Sequence, residues 1–189
     1  MNIAVYSGSF NPLHIGHLAI IKYMIEVAGF DMVYLIVSPK NPLKDNISID
    51  SGLTRYNAAA EAADRHFGKF ISAVVKVDDI ELTMPAPHYT IRTLDALHER
   101  EPENGFTFVM GADNLADIRR WKDYSRILTE YGVAVYPRTG FDIETIRQDL
   151  LNENPAYNIQ IINAPMVNIS STEIREAISR GEDVSHLLM

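Results

Sequence analysis

The sequence predicts a doubly wound, Rossmann-like α/β fold: a parallel sheet with helices on both faces. Two observations carry this expectation. Short runs of residues are apolar almost throughout, as strands buried on both faces are. Longer stretches with helical periodicity alternate with them, and the connections are short. A third observation concerns function. The densest cluster of glycine, proline and histidine follows the first run directly, and ligands of such sheets sit beyond the carboxyl ends of the strands.

The elements follow in order. "NIAVYS" (Asn2–Ser7) is the first strand, and Ile15–Ala28, apolar at Leu18, Ile21, Ile25 and Ala28, is the first helix. "MVYLIVS" (Met32–Ser38) is a second strand, and the alanine-rich Leu53–Phe67 a second helix. A further strand is expected around Ser72–Leu82, although charges interrupt it. Ile91–Arg100 reads as a helix, "FTFVMG" (Phe106–Gly111) as a strand, and Tyr124–Tyr131 as a helix. "GVAVYP" (Gly132–Pro137), Ile143–Asn152 and "IQIINA" (Ile159–Ala164) continue the alternation as strand, helix and strand. Ser170-x-x-Glu173 is a capping box that opens a last helix. No repeat, low-complexity tract or linker divides the chain, so residues 1–189 are read as one domain.

Composition bounds the function. The chain has 189 residues, 47% of them hydrophobic, enough for a sizeable core. It contains no cysteine, which excludes disulfides and thiolate metal sites and makes a reducing cytoplasm the expected compartment. No apolar run approaches the roughly 18 residues of a membrane span, and no basic export region opens the chain. The formal net charge of −8 argues against nucleic-acid binding, which needs a broad basic face. An anionic ligand must therefore be held locally, by backbone N–H groups, a few cationic side chains and a metal ion.

"YSGSFNPLHIGH" (Tyr6–His17) has the residues for that. Gly8 and Ser9 leave room for backbone to approach a ligand, and Pro12 stiffens the turn. His14 and His17, three apart at a helix start, project to one side. The free N–H groups and dipole there favour phosphate, and a histidine can donate a hydrogen bond to it. As a zinc site the pair is poor, lacking a third ligand nearby. Either histidine alone could equally be a core residue. The stretch is neither G-x-G-x-x-G nor a Walker A loop. At the other end of the chain, "NISSTEIR" (Asn168–Arg175) places the hydroxyls of Ser171 and Thr172 in a helix's first turn, with the forked guanidinium of Arg175 one turn on.

His14-Ile15-Gly16-His17 and Ile169-Ser170-Ser171-Thr172-Glu173-Ile174-Arg175 match the H-x-G-H and I-S-S-T-x-x-R motifs, and on them the chain resembles the nucleotidyltransferase superfamily. Class I aminoacyl-tRNA synthetases also carry H-I-G-H, but their K-M-S-K-S-type loop and tRNA-binding body have no counterpart here. Within the superfamily the chain is most similar to the bacterial nicotinate-nucleotide adenylyltransferase family, through "GSFNPLHIGH", "SPKNPLK", "HYTIRTL", "MGADNLADIRRW", "YPRTG" and "ISSTEIR". The resemblance implies transfer of AMP from ATP to nicotinate mononucleotide, with Mg²⁺ held mainly by the ATP phosphates and no metal site built from side chains. It implies ATP and a pyridine mononucleotide as partners, no nucleic acid and no membrane, and it is compatible with a homo-oligomer.

The resemblance also implies roles for particular residues. Gly8, Ser9 and Phe10 would line the ATP and acceptor pocket, together with Gly16. His17 would contact the α-phosphate, with His14 supporting the phosphates, and Lys44 would reach a phosphate. Gly111 and Asp113 would meet the ribose, and Thr90 and Trp121 the pyridine ring, with Arg138 near the acceptor. Ser171, Thr172 and Arg175 would hold the triphosphate. Bland readings stand beside several of these. Asp113 or Thr90 could be helix N-caps, Trp121 a core cap and Lys44 a solvated loop residue. Asn11 and Arg92 stand where the family often has aspartate, and Leu43 precedes Lys44 where a histidine is common. Lys122, rather than a second aromatic residue, follows Trp121. These departures leave the adenylyl-transfer residues in place and the acceptor open between nicotinate mononucleotide, nicotinamide mononucleotide and phosphopantetheine. A non-catalytic ATP sensor is the rival from another class. The segment Pro39–Ile49 is long for a connection and is read as a candidate lid.

Overall fold

The computed structural model describes residues 1–39, 49–71, 74–167 and 169–189. Its strands are β1 (Asn2–Gly8), β2 (Met32–Val37), β3 (Val75–Asp78), β4 (Gly105–Gly111), β5 (Val133–Tyr136) and β6 (Ile159–Ile161). All pair in parallel, in the order β3-β2-β1-β4-β5-β6. The order reverses direction at β1, so the crevice between the carboxyl ends of β1 and β4 is where a ligand is expected.

Alternate residues of each strand serve two cores. On one face Ala4, Tyr6, Leu35 and Ala134 pack with Ile21 and Met24 of α1 (Ile15–Glu26) and with Ala59 and Ala63 of α2 (Ile49–Ile71). On the other, Ile3, Val5, Ile36 and Phe108 pack with Ile91, Leu94 and Leu97 of α4 (Thr90–Arg100) and with Leu150 of α7 (Ile143–Glu153). Both faces being covered explains the continuous apolar runs. The doubly wound sheet expected from the sequence is the one found.

The differences have local causes. The strand expected around Ser72–Leu82 is confined to Val75–Asp78, and Ile80–Thr83 forms a short helix, α3; Ser72 and Ala73 lie outside the described residues. Asp78 makes the change. Its Oδ1 accepts the Ile80 N–H at 3.0 Å, turning the backbone out of the strand, while Arg100 donates to both carboxylate oxygens at 3.1 and 2.7 Å. After α5 (Ala112–Ala116), the helix expected at Tyr124–Tyr131 begins as α6 (Tyr124–Arg126) and continues with π-type winding through Ile127–Tyr131. The Gly132 N–H reaches back five residues to the Ile127 carbonyl at 2.8 Å, and its φ of +77° lets the chain leave for β5. The last helix, α8 (Ser171–Ser179), starts at the expected capping box: Ser170 Oγ accepts from the Glu173 N–H at 3.2 Å and the Ser170 N–H donates to Glu173 Oε2 at 2.7 Å. Among the described residues no helix is long and apolar enough to cross a membrane.

Candidate active site

The chain leaves β1 at Gly8 and enters α1 at Ile15, and the turn between them is shaped around two imidazoles. His14 is the N-cap of α1, in extended conformation, and its Nδ1 accepts the Gly16 N–H at 3.1 Å. The His14 N–H in turn donates to His17 Nδ1 at 3.2 Å. This is a capping box in which histidines replace the usual hydroxyl and carboxylate. The two rings lie against each other with centroids 3.8 Å apart and planes tilted by 36°. Gly16 makes room for the His14 ring, because a Cβ there would come within 2.9 Å of His14 Cε1.

These bonds fix the tautomers. With Nδ1 of each ring accepting a backbone N–H, the neutral imidazole carries its proton on Nε2. Burial, followed by the charge of Arg138, pulls the His14 pKa down to about 4. Burial, then His14 and Arg138, pulls His17 down to about 3. Both are therefore neutral Nε2–H donors at neutral pH. Phe10 supports His17 from within the core: its backbone φ is +43°, and its buried ring meets the His17 and Tyr6 rings edge-on at 5.3 and 5.5 Å. A Cβ at Gly8 would lie 3.2 Å from the Phe10 ring, so the glycine lets that ring fold back over the strand end.

The start of α8 docks on the same turn. Ser171 Oγ donates to the Pro12 carbonyl at 3.1 Å, and Arg175 Nη1 donates to the Asn11 carbonyl at 2.7 Å. Arg175 Nη2 donates to Thr172 Oγ1 at 3.0 Å. The C-terminal motif thus bonds directly to the turn that leads into the histidine motif. Between them opens a cleft of ≈ 800 Å³, lined by His14, Gly16, His17, Arg138, Ser170 and Ser171 among others.

A second cleft of ≈ 710 Å³ lies over the ends of β1, β2 and β4, lined by Gly8, Ser9, Ser38, Thr90, Asn114 and Trp121 among others. Thr90 is the first residue of α4 rather than its cap, since Tyr89 holds the cap position without a side-chain bond. Trp121 is half-buried, its ring edge-on to Phe108 at 5.9 Å with the remainder on the cleft wall. Asp113 does not cap α5. Its Oδ1 lies 3.6 Å from Arg138 Nε and is buried without a hydrogen bond. A side chain at Gly111 would collide with that oxygen. Arg138, expected beside the acceptor, stands on the wall of the first cleft, its guanidinium 5.2 Å from the Tyr136 ring centroid. Lys44 and most of the expected lid lie outside the described residues.

Three supporting groups were not foreseen. Arg55 of α2 is 5% exposed and spans the ends of two loops: Nη1 donates to the Ser9 carbonyl at 2.7 Å, and Nη2 to the Ser38 and Pro39 carbonyls at 2.8 and 3.0 Å. A signal was present, since Arg55 falls in helical register with Ala59 and Ala62 on the apolar face of α2. Glu81 accepts from Ser38 Oγ at 2.6 Å and from Thr93 Oγ1 at 2.8 Å, joining the floor of the second cleft to α4. Tyr6 and Tyr136, read only as strand residues, line both clefts.

Comparison with known proteins fits this geometry. The family profile described as Cytidylyltransferase-like matches residues 5–177. A Flavobacterium psychrophilum protein named "Probable nicotinate-nucleotide adenylyltransferase" is 38% identical over 188 residues, covering 100% of this chain and 92% of its own. A Flavobacterium johnsoniae protein of the same name is 36% identical over 188 residues, with the same coverage. Among solved structures, the Plasmodium falciparum nicotinic acid mononucleotide adenylyltransferase complexed with NaAD superposes with a TM-score of 0.75. It is 23% identical, and the match covers 97% of this chain and 87% of that one, a likeness of fold.

Proposed function

Because this chain belongs to the Cytidylyltransferase-like family, we propose that it uses the two clefts for adenylyl transfer, moving AMP from ATP to the 5′-phosphate of nicotinate mononucleotide to give deamido-NAD and pyrophosphate. The observation that carries the chemistry is the close pair of neutral histidines facing the start of α8 across one cleft. The acceptor follows from the names of full-length relatives at 36–38% identity.

In this reading ATP lies in the first cleft and the acceptor in the second. An oxygen of the acceptor phosphate attacks the α-phosphorus in line, a new P–O bond forms, and the bond to the bridging oxygen of pyrophosphate breaks. A phosphate monoester is already nucleophilic, so positioning and charge stabilisation supply most of the catalysis. His17 donates through Nε2–H to an oxygen on the α-phosphorus and His14 to a neighbouring phosphate oxygen. Arg175, Ser171 and Thr172 take the outer phosphates, and Arg138 adds positive charge on the opposite wall. Asp113 Oδ1 is an acceptor for a ribose hydroxyl. Lys44 would reach a phosphate from the segment before α2.

Mg²⁺ belongs to the substrate in this account. Among the described residues no three histidine, carboxylate or cysteine side chains converge as metal ligands, and the donor oxygens are those of the triphosphate. Bound there, the ion neutralises phosphate charge that a chain of net charge −8 otherwise repels. Thr90 and the free face of Trp121 receive the pyridine ring. A cytoplasmic site of action goes with this chemistry.

The test is pyrophosphate release with ATP and Mg²⁺, offering nicotinate mononucleotide, nicotinamide mononucleotide and phosphopantetheine in parallel. Turnover on the first is expected. Turnover only on another acceptor would keep the transfer chemistry and overturn the assignment of Thr90 and Trp121. ATP binding without release on any of the three would make the protein a nucleotide sensor.

A further inference from the structure

Resting on adenylyl transfer as the reaction, we infer that the Tyr6–Tyr136 pair forms the crossing point of the transferred phosphoryl group and that the Tyr6 hydroxyl donates a hydrogen bond to it in the transition state.

In-line transfer requires the α-phosphorus of one substrate to face the phosphate of the other, so the reacting centre lies where the two clefts meet. Of the residues lining the first cleft, Tyr6 and Tyr136 are the two that also line the second. They come from the neighbourhood of the sheet's switch point: Tyr6 lies near the end of β1, and Tyr136 ends β5 on the far side of β4. Their rings meet edge to face with centroids 6.1 Å apart, and the Tyr6 ring lies 6.0 Å from that of His17. A hydroxyl on a ring this close to His17, where both clefts meet, would serve the phosphorus assigned to His17.

The surroundings hold the pair in place. Tyr6 is 5% exposed, with its ring packed against Phe10. Tyr136 is buried as well; its hydroxyl accepts from Arg138 Nη2 at 3.4 Å and shares a hydrogen bond with the Tyr6 hydroxyl. With Tyr136 as donor in that bond, the Tyr6 proton is left to give. Arg138 is anchored in turn near Asp113 at 3.6 Å. Burial above all, then the neighbouring Tyr136, raises the Tyr6 pKa well above its ordinary value, so that hydroxyl stays protonated. It gives a hydrogen bond to a non-bridging oxygen of the α-phosphoryl while the acceptor P–O bond forms and the bond to pyrophosphate breaks. No proton changes hands. A phenylalanine would fill the same space, losing that donor and the hydroxyl's hydrogen bond with Tyr136. Tyr136 is the polar neighbour of that hydroxyl in a core layer otherwise made of apolar side chains.

The experiment compares the wild type with Tyr6→Phe and Tyr136→Phe, in both directions of the reaction, at saturating substrates. Tyr6→Phe is expected to lower kcat about tenfold for synthesis and by the same factor for pyrophosphorolysis, a modest share of what one oxyanion donor supplies. KM for ATP and for the acceptor should stay within about twofold, and the melting temperature should hold. Tyr136→Phe should show a smaller loss of the same kind. Unchanged kcat in Tyr6→Phe would overturn the inference while leaving the reaction standing. A rise in KM for one substrate alone would also overturn it, making Tyr6 a wall of a single cleft. A loss of kcat that tracks a fallen melting temperature, and is equalled by Tyr6→Leu, would reduce the residue to packing. A wild type inactive with every acceptor would instead remove the reaction itself, and the inference with it.

Discussion

Two imidazole Nδ1 atoms, each held by a backbone N–H, decide how His14 and His17 can act. A protonated ring would have to break that bond, and burial opposes the charge as well, so both side chains are donors that do not titrate near neutrality. Replacing His17 by alanine should lower kcat roughly 10²–10³-fold, about 2.7–4 kcal/mol, the loss typical of one oxyanion donor. Steady-state rates at saturating ATP check this, and an unchanged kcat would remove the role. The same burial has a cost at low pH. The pKa of His17 lies near 3 when folded and near 6.5 when free, so between those values the unfolded chain binds the extra proton. The His17 share of stability is therefore present above about pH 6.5 and falls as the pH drops, by about 2 kcal/mol at pH 5 at 1.36 kcal/mol per unit, and His14, held near 4, adds a loss of the same sign. Urea midpoints between pH 7 and pH 5 should show this slope in the wild type, and a shallower one in His17→Asn.

Helix starts are the next scale, and here one contact joins what the sequence separates by some 160 residues. Arg175 and Ser171 of α8 bond the Asn11 and Pro12 carbonyls in the turn before α1. Removing Arg175 loosens that turn and, with ATP bound as proposed, takes a cation from its outer phosphates, so Arg175→Ala should raise KM for ATP more than it lowers kcat. Loss of thermal stability with unchanged ATP kinetics would instead leave Arg175 a structural clasp. Arg55 performs a comparable task for the loops after β1 and β2. Arg55→Met leaves three carbonyl oxygens short of a donor and should destabilise the fold by about 3 kcal/mol in urea melts. Expected helix starts were legible in the sequence at Ser170-x-x-Glu173, because a cap is a local bond. The rival caps at Asp113 and Thr90 rest on local pattern too, and neither side chain caps its helix: Thr90 lines the second cleft and Asp113 turns toward Arg138. Arg55 stayed hidden because its partners lie 16 to 46 residues away along the chain.

For the whole molecule, the sheet order β3-β2-β1-β4-β5-β6 sets both clefts at one edge, so ligand binding should tighten the entire fold. ATP with Mg²⁺ at about a hundred times its Kd should stabilise the protein by about 2.7 kcal/mol. That corresponds to roughly 5–10 °C in Tm for a chain of this size. Thermal scans with and without the nucleotide measure it. His17→Ala should keep most of the shift, and Arg175→Ala should lose much of it. Absence of any shift in the wild type would argue that the first cleft is not the ATP site. The sequence by itself determined the parallel, doubly wound sheet, the capped start of α8 and the histidine turn. Those features rest on periodicity and hydrogen bonds that span only a few neighbouring residues. Tertiary structure alone decided that Arg138 stands in the first cleft, that Arg55 clasps two loops, and that Tyr6 and Tyr136 stand between the clefts. Such placements depend on which strands lie side by side, and side-by-side strands are far apart along the chain.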